Sequence, residues 1–311
     1  MAIDTILDPN IDVVFPDEPS IDPILRDLSK NYTNALDIAR ELLPYVGLTE
    51  EDLELFSELV VYSILDGHRS GLPSNYPLKY GYIEGAVFAI RWAKILQSLG
   101  ANKQVFMIHT ERNRKTEERM AAILGGIQEI AGYFIGTALE AGIRLHYNGH
   151  GVHDSYELSP IVETAEGITS NGTYDLHFLL NYSEEWAVRN LEEVQKIPDF
   201  TTIVRFTKGH LGGVWIPTKA NYASFIYCQN ASVSNNWSDV QLIFLSLLAL
   251  KSYIVNNGTI GSRQYARNER EEIYERRELN AAHGWVPVYL GNSLPKRSIM
   301  FFSEGPVTYE F

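Results

Sequence analysis

Two hydrophobic periods alternate along this chain. Val60-Val61-Tyr62-Ser63-Ile64-Leu65 is a β-branched, apolar run of strand length, and it breaks at Asp66-Gly67 into a polar turn reaching Gly71. A helical segment follows over about 81–98. Further short apolar runs at 104–108, 143–147, 176–182, 202–206 and 223–228 have strand character, and helical segments are expected at 116–141, 184–194, 239–255 and 263–282. In the first of these, Met120, Ile123, Leu124, Ile127, Ile130, Phe134 and Ala138 recur at helical spacing around Gly125, Gly126, Gly132 and Gly136. A glycine inside a helix costs up to about 1 kcal/mol, which points to close packing or a cavity there. Residues 148–172 read as irregular, and 1–20 as an acidic, proline-containing arm. Two helices are expected over 21–57, one carrying Ile24, Leu28, Ala35, Ile38, Leu42 and Leu43, the other capped at Thr49.

Strands alternating with helices predict an α/β fold, with a single mostly parallel six-stranded sheet flanked by helices and right-handed crossovers. The division expected is an N-terminal arm and helical extension at 1–57, the α/β domain at 58–284 and a C-terminal tail at 285–311. A length of 311 residues and 45% apolar content suit one large domain or two modest ones.

In a parallel sheet, ligand sites lie at the carboxyl ends of the strands, and the turns there share a chemical bias. The first holds Asp66, His68 and Arg69; the second His109, Arg112, Arg114 and Lys115; the fifth Arg205, Lys208 and His210. The net charge of −13 speaks against nucleic-acid binding and against adsorption to an anionic membrane. An acidic protein that gathers cations at one sheet edge is suited to a polyanion, most simply a diphosphate. The alternative is three ordinary solvated loops. No Walker-type phosphate loop and no Gly-x-Ser-x-Gly elbow occurs. His150 and His153, with Asp154, are a weak candidate metal set, and Cys228 alone allows neither a disulfide nor a cysteine-based zinc site. No transmembrane segment and no signal peptide is expected, and the location expected is cytoplasmic.

The order of motifs resembles the cis-prenyltransferases, the undecaprenyl diphosphate synthase superfamily. Leu65-Asp66-Gly67-His68-Arg69 followed by Gly81-Tyr82-Ile83-Glu84-Gly85 is similar to the family's Asp-Gly-Asn-x-Arg-Trp and Gly-His-x-x-Gly. His109-Thr110-Glu111-Arg112-Asn113-Arg114 is similar to its Ser-Thr-Glu-Asn-Trp-x-Arg. Residues 143–149, Asn181-Tyr182, Val204-Arg205 and Trp237-Ser238-Asp239 continue the series, so the resemblance covers about 58–280. It implies a homodimeric α/β enzyme that holds an allylic diphosphate at the strand edge, its tail in a tunnel between helices and sheet. Asp66, His68 and Arg69 would be the catalytic residues, with Asp66 holding Mg2+. Gly67, Arg69, Lys79, His109, Arg112, Arg205 and Lys208 would bind the diphosphate, and Phe88, Met107, Ile123, Ile127, Ile130 and Phe134 would line the tunnel.

The chain departs from the family where His68 replaces asparagine, Tyr82 histidine, Arg112 asparagine and Asn113 tryptophan. Leu211 and Gly213 fall where the second-substrate motif has arginine and serine, and Ser224 falls near a metal-binding glutamate. Those losses argue against a long-chain polymerase, and Met107, in place of a small residue, hints at a short tunnel. Three functions follow: a noncanonical short-chain prenyl diphosphate transferase, synthase or terpene cyclase; a catalytically silent partner subunit of an active homologue; or an unrelated α/β protein binding a phosphorylated metabolite.

Overall fold

The computed structural model describes residues 21–65, 76–111, 116–206, 214, 216–220, 223–228, 237–260, 297–302 and 305–310. Six parallel strands form one sheet: β1 (Val60–Ile64), β2 (Lys103–Met107), β3 (Ile143–Asn148), β4 (Tyr174–Leu179), β5 (Thr202–Phe206) and β6 (Ser224–Cys228). Their order is β3-β4-β2-β1-β5-β6, so β1 lies in the middle and is hydrogen-bonded to β2 and β5. A strand buried on both faces needs a continuous apolar run, and all five positions of β1 are buried. Chain reversal between parallel strands requires crossovers, supplied by α3 (Lys79–Ser98), α4 (Glu117–Glu140), α5 (Ser159–Thr169) and the short α6 (Glu184–Arg189) and α7 (Leu191–Lys196).

Several local details depart from the pattern-based expectation. The N-terminal apolar series is divided between α1 (Asp22–Leu28) and α2 (Ala35–Val46), and Tyr32 in the connection is buried in the core. Glu51–Glu58 is a 3₁₀ helix. The stretch read as irregular contains α5, started by a proline in its first turn. Its buried positions, Ser159, Val162, Ala165 and Thr169, are too small and mixed to announce a helix. The single helix expected over 184–194 is two, broken at Asn190 (φ −121°, ψ 54°), whose side-chain amide donates to the Trp186 carbonyl.

Two cores flank the sheet. One joins α1, α2, α3, α4 and α8 (Asp239–Ile260) to the face carrying Val61, Phe106, Phe178 and Val204. The N-terminal helices thus share the main core. The other holds Tyr62, Ile64, Met107, Trp186 and Phe200 on the opposite face. Arg91, 5% exposed, ties α3 to the start of α8, its Nε donating to Asp239 Oδ1 (2.7 Å) and an Nη to the Trp237 carbonyl (2.6 Å). Ser238 and Gln241 satisfy each other's backbone N–H groups there, a capping box. By length and composition alone, α4 is long and apolar enough to cross a membrane. In the tail, β7 (Arg297–Phe302) and β8 (Gly305–Glu310) form an antiparallel hairpin.

Candidate functional site

At the carboxyl edge of the sheet an apolar cavity opens between α3, α4 and the strands. Leu65, Ile108 and Leu180, the first residues beyond β1, β2 and β4, form its rim together with Gly81, Tyr82, Gly85 and Ala86 of α3. Ile127, Ile130, Ala131, Phe134 and Ile135 of α4 form one wall, with Tyr147, Ile161 and Phe178 opposite. Its empty space is about 800 Å³, including solvent at the mouth. Gly81 and Gly85 are one turn apart and so lie on the same face of α3, where larger side chains would fill the space. The floor is aromatic: Phe178 packs on Phe134 (5.7 Å between centroids), Tyr147 (5.5 Å) and Phe106 (6.0 Å).

Of the α4 glycines, Gly126 alone among the four marks a close approach: a Cβ there would lie 2.8 Å from the Lys79 carbonyl oxygen and 3.1 Å from Tyr82 Cβ. Gly125, Gly132 and Gly136 have open space within 4 Å, so neither tight packing nor the cavity accounts for them.

The lining has two hydroxyls. Burial pushes the Tyr147 phenol well above its ordinary pKa, and the Glu166 carboxylate adds to the effect, so it stays protonated. Tyr82 Oη is buried and makes no hydrogen bond. A buried hydroxyl left so costs about 1–3 kcal/mol.

Asp66, Gly67, His68, Arg69, Arg112 and Lys208 lie outside the described residues. Leu65, the residue before Asp66, is on the cavity rim. Of the residues expected to line a tunnel, Ile127, Ile130 and Phe134 line this cavity, whereas Phe88, Met107 and Ile123 do not. Met107 is on the opposite sheet face with Tyr182 and Trp186, because side chains alternate along β2 and Phe106 takes the cavity side. Phe88 is packed below, edge-on to Phe206. Lys79 Nζ is 3.1 Å from Glu129 Oε2, an ion pair joining α3 to α4 beside the Gly126 contact.

Two residues expected to bind the diphosphate, His109 and Arg205, are buried. His109 is 1% exposed; its Nε2 accepts from the Asn181 backbone N–H (3.3 Å) and lies 2.6 Å from the Tyr156 hydroxyl. An accepting Nε2 places the proton on Nδ1, so His109 is a structural tie between β2, β4 and the β3–α5 connection. Arg205 is 3% exposed and, by alternation with Val204 and Phe206, is on the sheet face away from the cavity. His150 and His153 do not converge: the first pairs with Glu111 (2.5 Å), the second with Glu166 (3.1 Å). Among the described residues no group of three or more His, Cys, Asp or Glu side chains could hold a metal ion.

The rim beside His109 is rigid for a backbone reason. Gly149 has φ 148°, and a Cβ there would come within 1.6 Å of the Leu180 carbonyl oxygen. Sequence patterning missed Tyr147 and Phe178 as cavity residues. They are opposite each other in the β3–β4 register, a pairing that the strand order alone decides.

No protein-family model matches the sequence, and no curated protein does. Solved structures do match in fold. Lavandulyl diphosphate synthase from Lavandula x intermedia, in complex with dimethylallyl diphosphate, superposes with a TM-score of 0.50 at 15% identity, over 62% of this chain and 94% of that one. A probable undecaprenyl diphosphate synthase from Campylobacter jejuni gives a TM-score of 0.43 at 8% identity, over 67% of this chain and 97% of its own. With its all-parallel sheet and helix-walled edge cavity, the chain has a cis-prenyltransferase-like fold.

Proposed function

We propose that this chain is a short-chain isoprenyl diphosphate transferase or synthase. It ionises an allylic diphosphate at Asp66 and Arg69 and couples, rearranges or cyclises the resulting prenyl cation. The observation that carries this reading is the apolar cavity beginning at Leu65, next to Asp66 in sequence. Ionisation puts negative charge on the departing diphosphate, so a guanidinium aimed there favours the transition state over bound substrate. An apolar, aromatic lining keeps water from the allylic cation and offers it ring faces. Mg2+ belongs to the same proposal. Such a cation usually takes one or two carboxylates and substrate phosphate oxygens and keeps several waters, so Asp66 would hold it without a protein cage; it would neutralise leaving-group charge.

The cavity also argues for a short tail. Ile127 to Ile135 covers eight residue steps of α4, roughly 12 Å at the helical rise. An extended isoprene unit occupies about 5 Å given carbon–carbon bonds near 1.5 Å, so about two units reach the aromatic floor. The neighbouring lavandulyl diphosphate synthase structure holds dimethylallyl diphosphate, a substrate of this class.

The test is diphosphate release with Mg2+ and dimethylallyl, geranyl or farnesyl diphosphate, each with and without isopentenyl diphosphate. Release from the shorter donors that disappears in Asp66→Ala supports the proposal. No release from any donor refutes it; a stable complex with an active synthase in that case would identify a silent partner subunit.

A further inference from the structure

β3 is an edge strand, paired with β4 alone, so the N–H groups along its other side have no strand to meet. Helix α5 supplies the missing acceptors from two side chains one turn apart. Thr169 Oγ1 accepts from the Leu145 N–H (3.0 Å) and donates its own proton to the Ala165 carbonyl (2.7 Å). Glu166 Oε1 accepts from the Tyr147 N–H (2.8 Å), and its other oxygen is 3.1 Å from His153 Nε2. A carboxylate with both oxygens engaged holds one geometry, and that geometry locks α5 against β3.

The lock reaches the cavity. Tyr147 and Ile161, the latter on the same helix as Glu166, are both in the lining that faces α4. The Tyr147 ring stacks on Phe178 with centroids 5.5 Å apart and planes at 29°. Phe178 is on β4, which is hydrogen-bonded to β2 on one side and β3 on the other, so its backbone is held from both sides. Tyr147 has a strand on one side only. Its free side is held by Glu166, and a ring packed in a binding wall is only as well placed as the groups that support it.

We infer that Glu166 is a positioning residue for the β3–α5 wall of the cavity: by accepting the Tyr147 N–H it fixes the Tyr147 ring and Ile161, and so sets which apolar tail fits. What the wall needs from Glu166 is a hydrogen-bond acceptor, not a negative charge. The inference rests on the proposed reading of the cavity as a prenyl-tail site. It adds to that reading a residue that acts on tail selectivity through Tyr147.

The experiment compares wild type, Glu166→Ala and Glu166→Gln in three measurements: deuterium exchange of the Tyr147 amide, thermal unfolding, and calorimetric affinity for dimethylallyl alcohol, geraniol and farnesol. The alcohols carry the tail without the diphosphate, so only the cavity is probed. Glu166→Ala is expected to speed exchange at Tyr147 and to weaken geraniol roughly three- to tenfold, the worth of one aromatic contact, with farnesol changed less. Glu166→Gln keeps the acceptor and should match wild type in exchange and in affinity. Geraniol affinity in Glu166→Ala within about twofold of wild type overturns the inference, because the wall then stands without the tie. So does a glutamine variant as impaired as the alanine one, or an equal loss for all three alcohols that follows a fall in Tm. If wild type binds none of the alcohols, the proposed function fails; unchanged Tyr147 exchange in Glu166→Ala overturns the inference whatever the alcohols do.

Discussion

His177 should make the fold acid-sensitive well above the carboxylate range. It is on β4, 6% exposed, with its ring stacked on that of His146 at 4.4 Å. Its Nδ1 is buried without a hydrogen-bond partner. Burial pushes its pKa down from 6.5 to about 3, helped by the positive charge of His146, Lys103 and Arg144 and opposed by Asp175. Between those two values the unfolded chain binds a proton that the folded chain refuses, so stability falls as pH drops through 6.5 and is not recovered below 3. At about pH 5 the loss is RT times the logarithm of a roughly 30-fold ratio, about 2 kcal/mol, an upper figure for a site that can relax.

His177→Phe keeps the ring and removes the titration. Urea unfolding of both proteins at about pH 8, 6 and 5 should show wild type losing roughly 2 kcal/mol more than the variant on acidification. Differencing cancels the other titrating groups, including Asp175. That carboxyl is raised by burial but held net below its usual range by hydrogen bonds from Arg144 (2.6 Å) and His146 (2.7 Å). Parallel pH profiles would refute the reasoning, because they would mean that His177 charges freely in the folded state.

The α4 glycines give a paired prediction: Gly126→Ala must displace the Lys79 carbonyl and should cost about 1–3 kcal/mol despite alanine's better helix propensity, whereas Gly132→Ala meets nothing within 4 Å and should stabilise by about 0.5–1 kcal/mol, both read by urea unfolding. Phe134→Ala removes the cavity floor against Phe178 and should lose about 3–5 kcal/mol while shifting donor preference toward a tail one isoprene unit longer, measured as relative diphosphate release from geranyl and farnesyl diphosphates.

Much of the architecture was legible because strands buried on both faces write themselves as short apolar runs. All six expected strands form, and α3 and α4 begin and end within two residues of their expected limits. The misses have a common cause. α5 carries no long apolar stripe, its buried positions being serine, valine, alanine and threonine, and the apolar series from Ile24 to Leu43 keeps roughly helical spacing across the break between α1 and α2, which periodicity alone does not reveal. In the candidate site, Ile127, Ile130 and Phe134 were found from helical periodicity, which identifies the inward face of α4. His109 and Arg205 are buried, which their sequence does not reveal, since a charged or polar residue at a strand end reads the same whether it turns outward or inward.

The sequence by itself determined the secondary elements, their alternation and hence a parallel sheet, because hydrophobic period and turn residues are local properties. Only the tertiary structure decided the strand order, and with it which residues are neighbours across strands. That order sets Tyr147 beside Phe178 as a cavity floor and puts Met107 and Arg205 on the far face. It also leaves the Tyr82 hydroxyl unpaired at the rim. Each is a relation between residues distant along the chain, fixed when packing closes the two faces of the sheet, and no single segment encodes it.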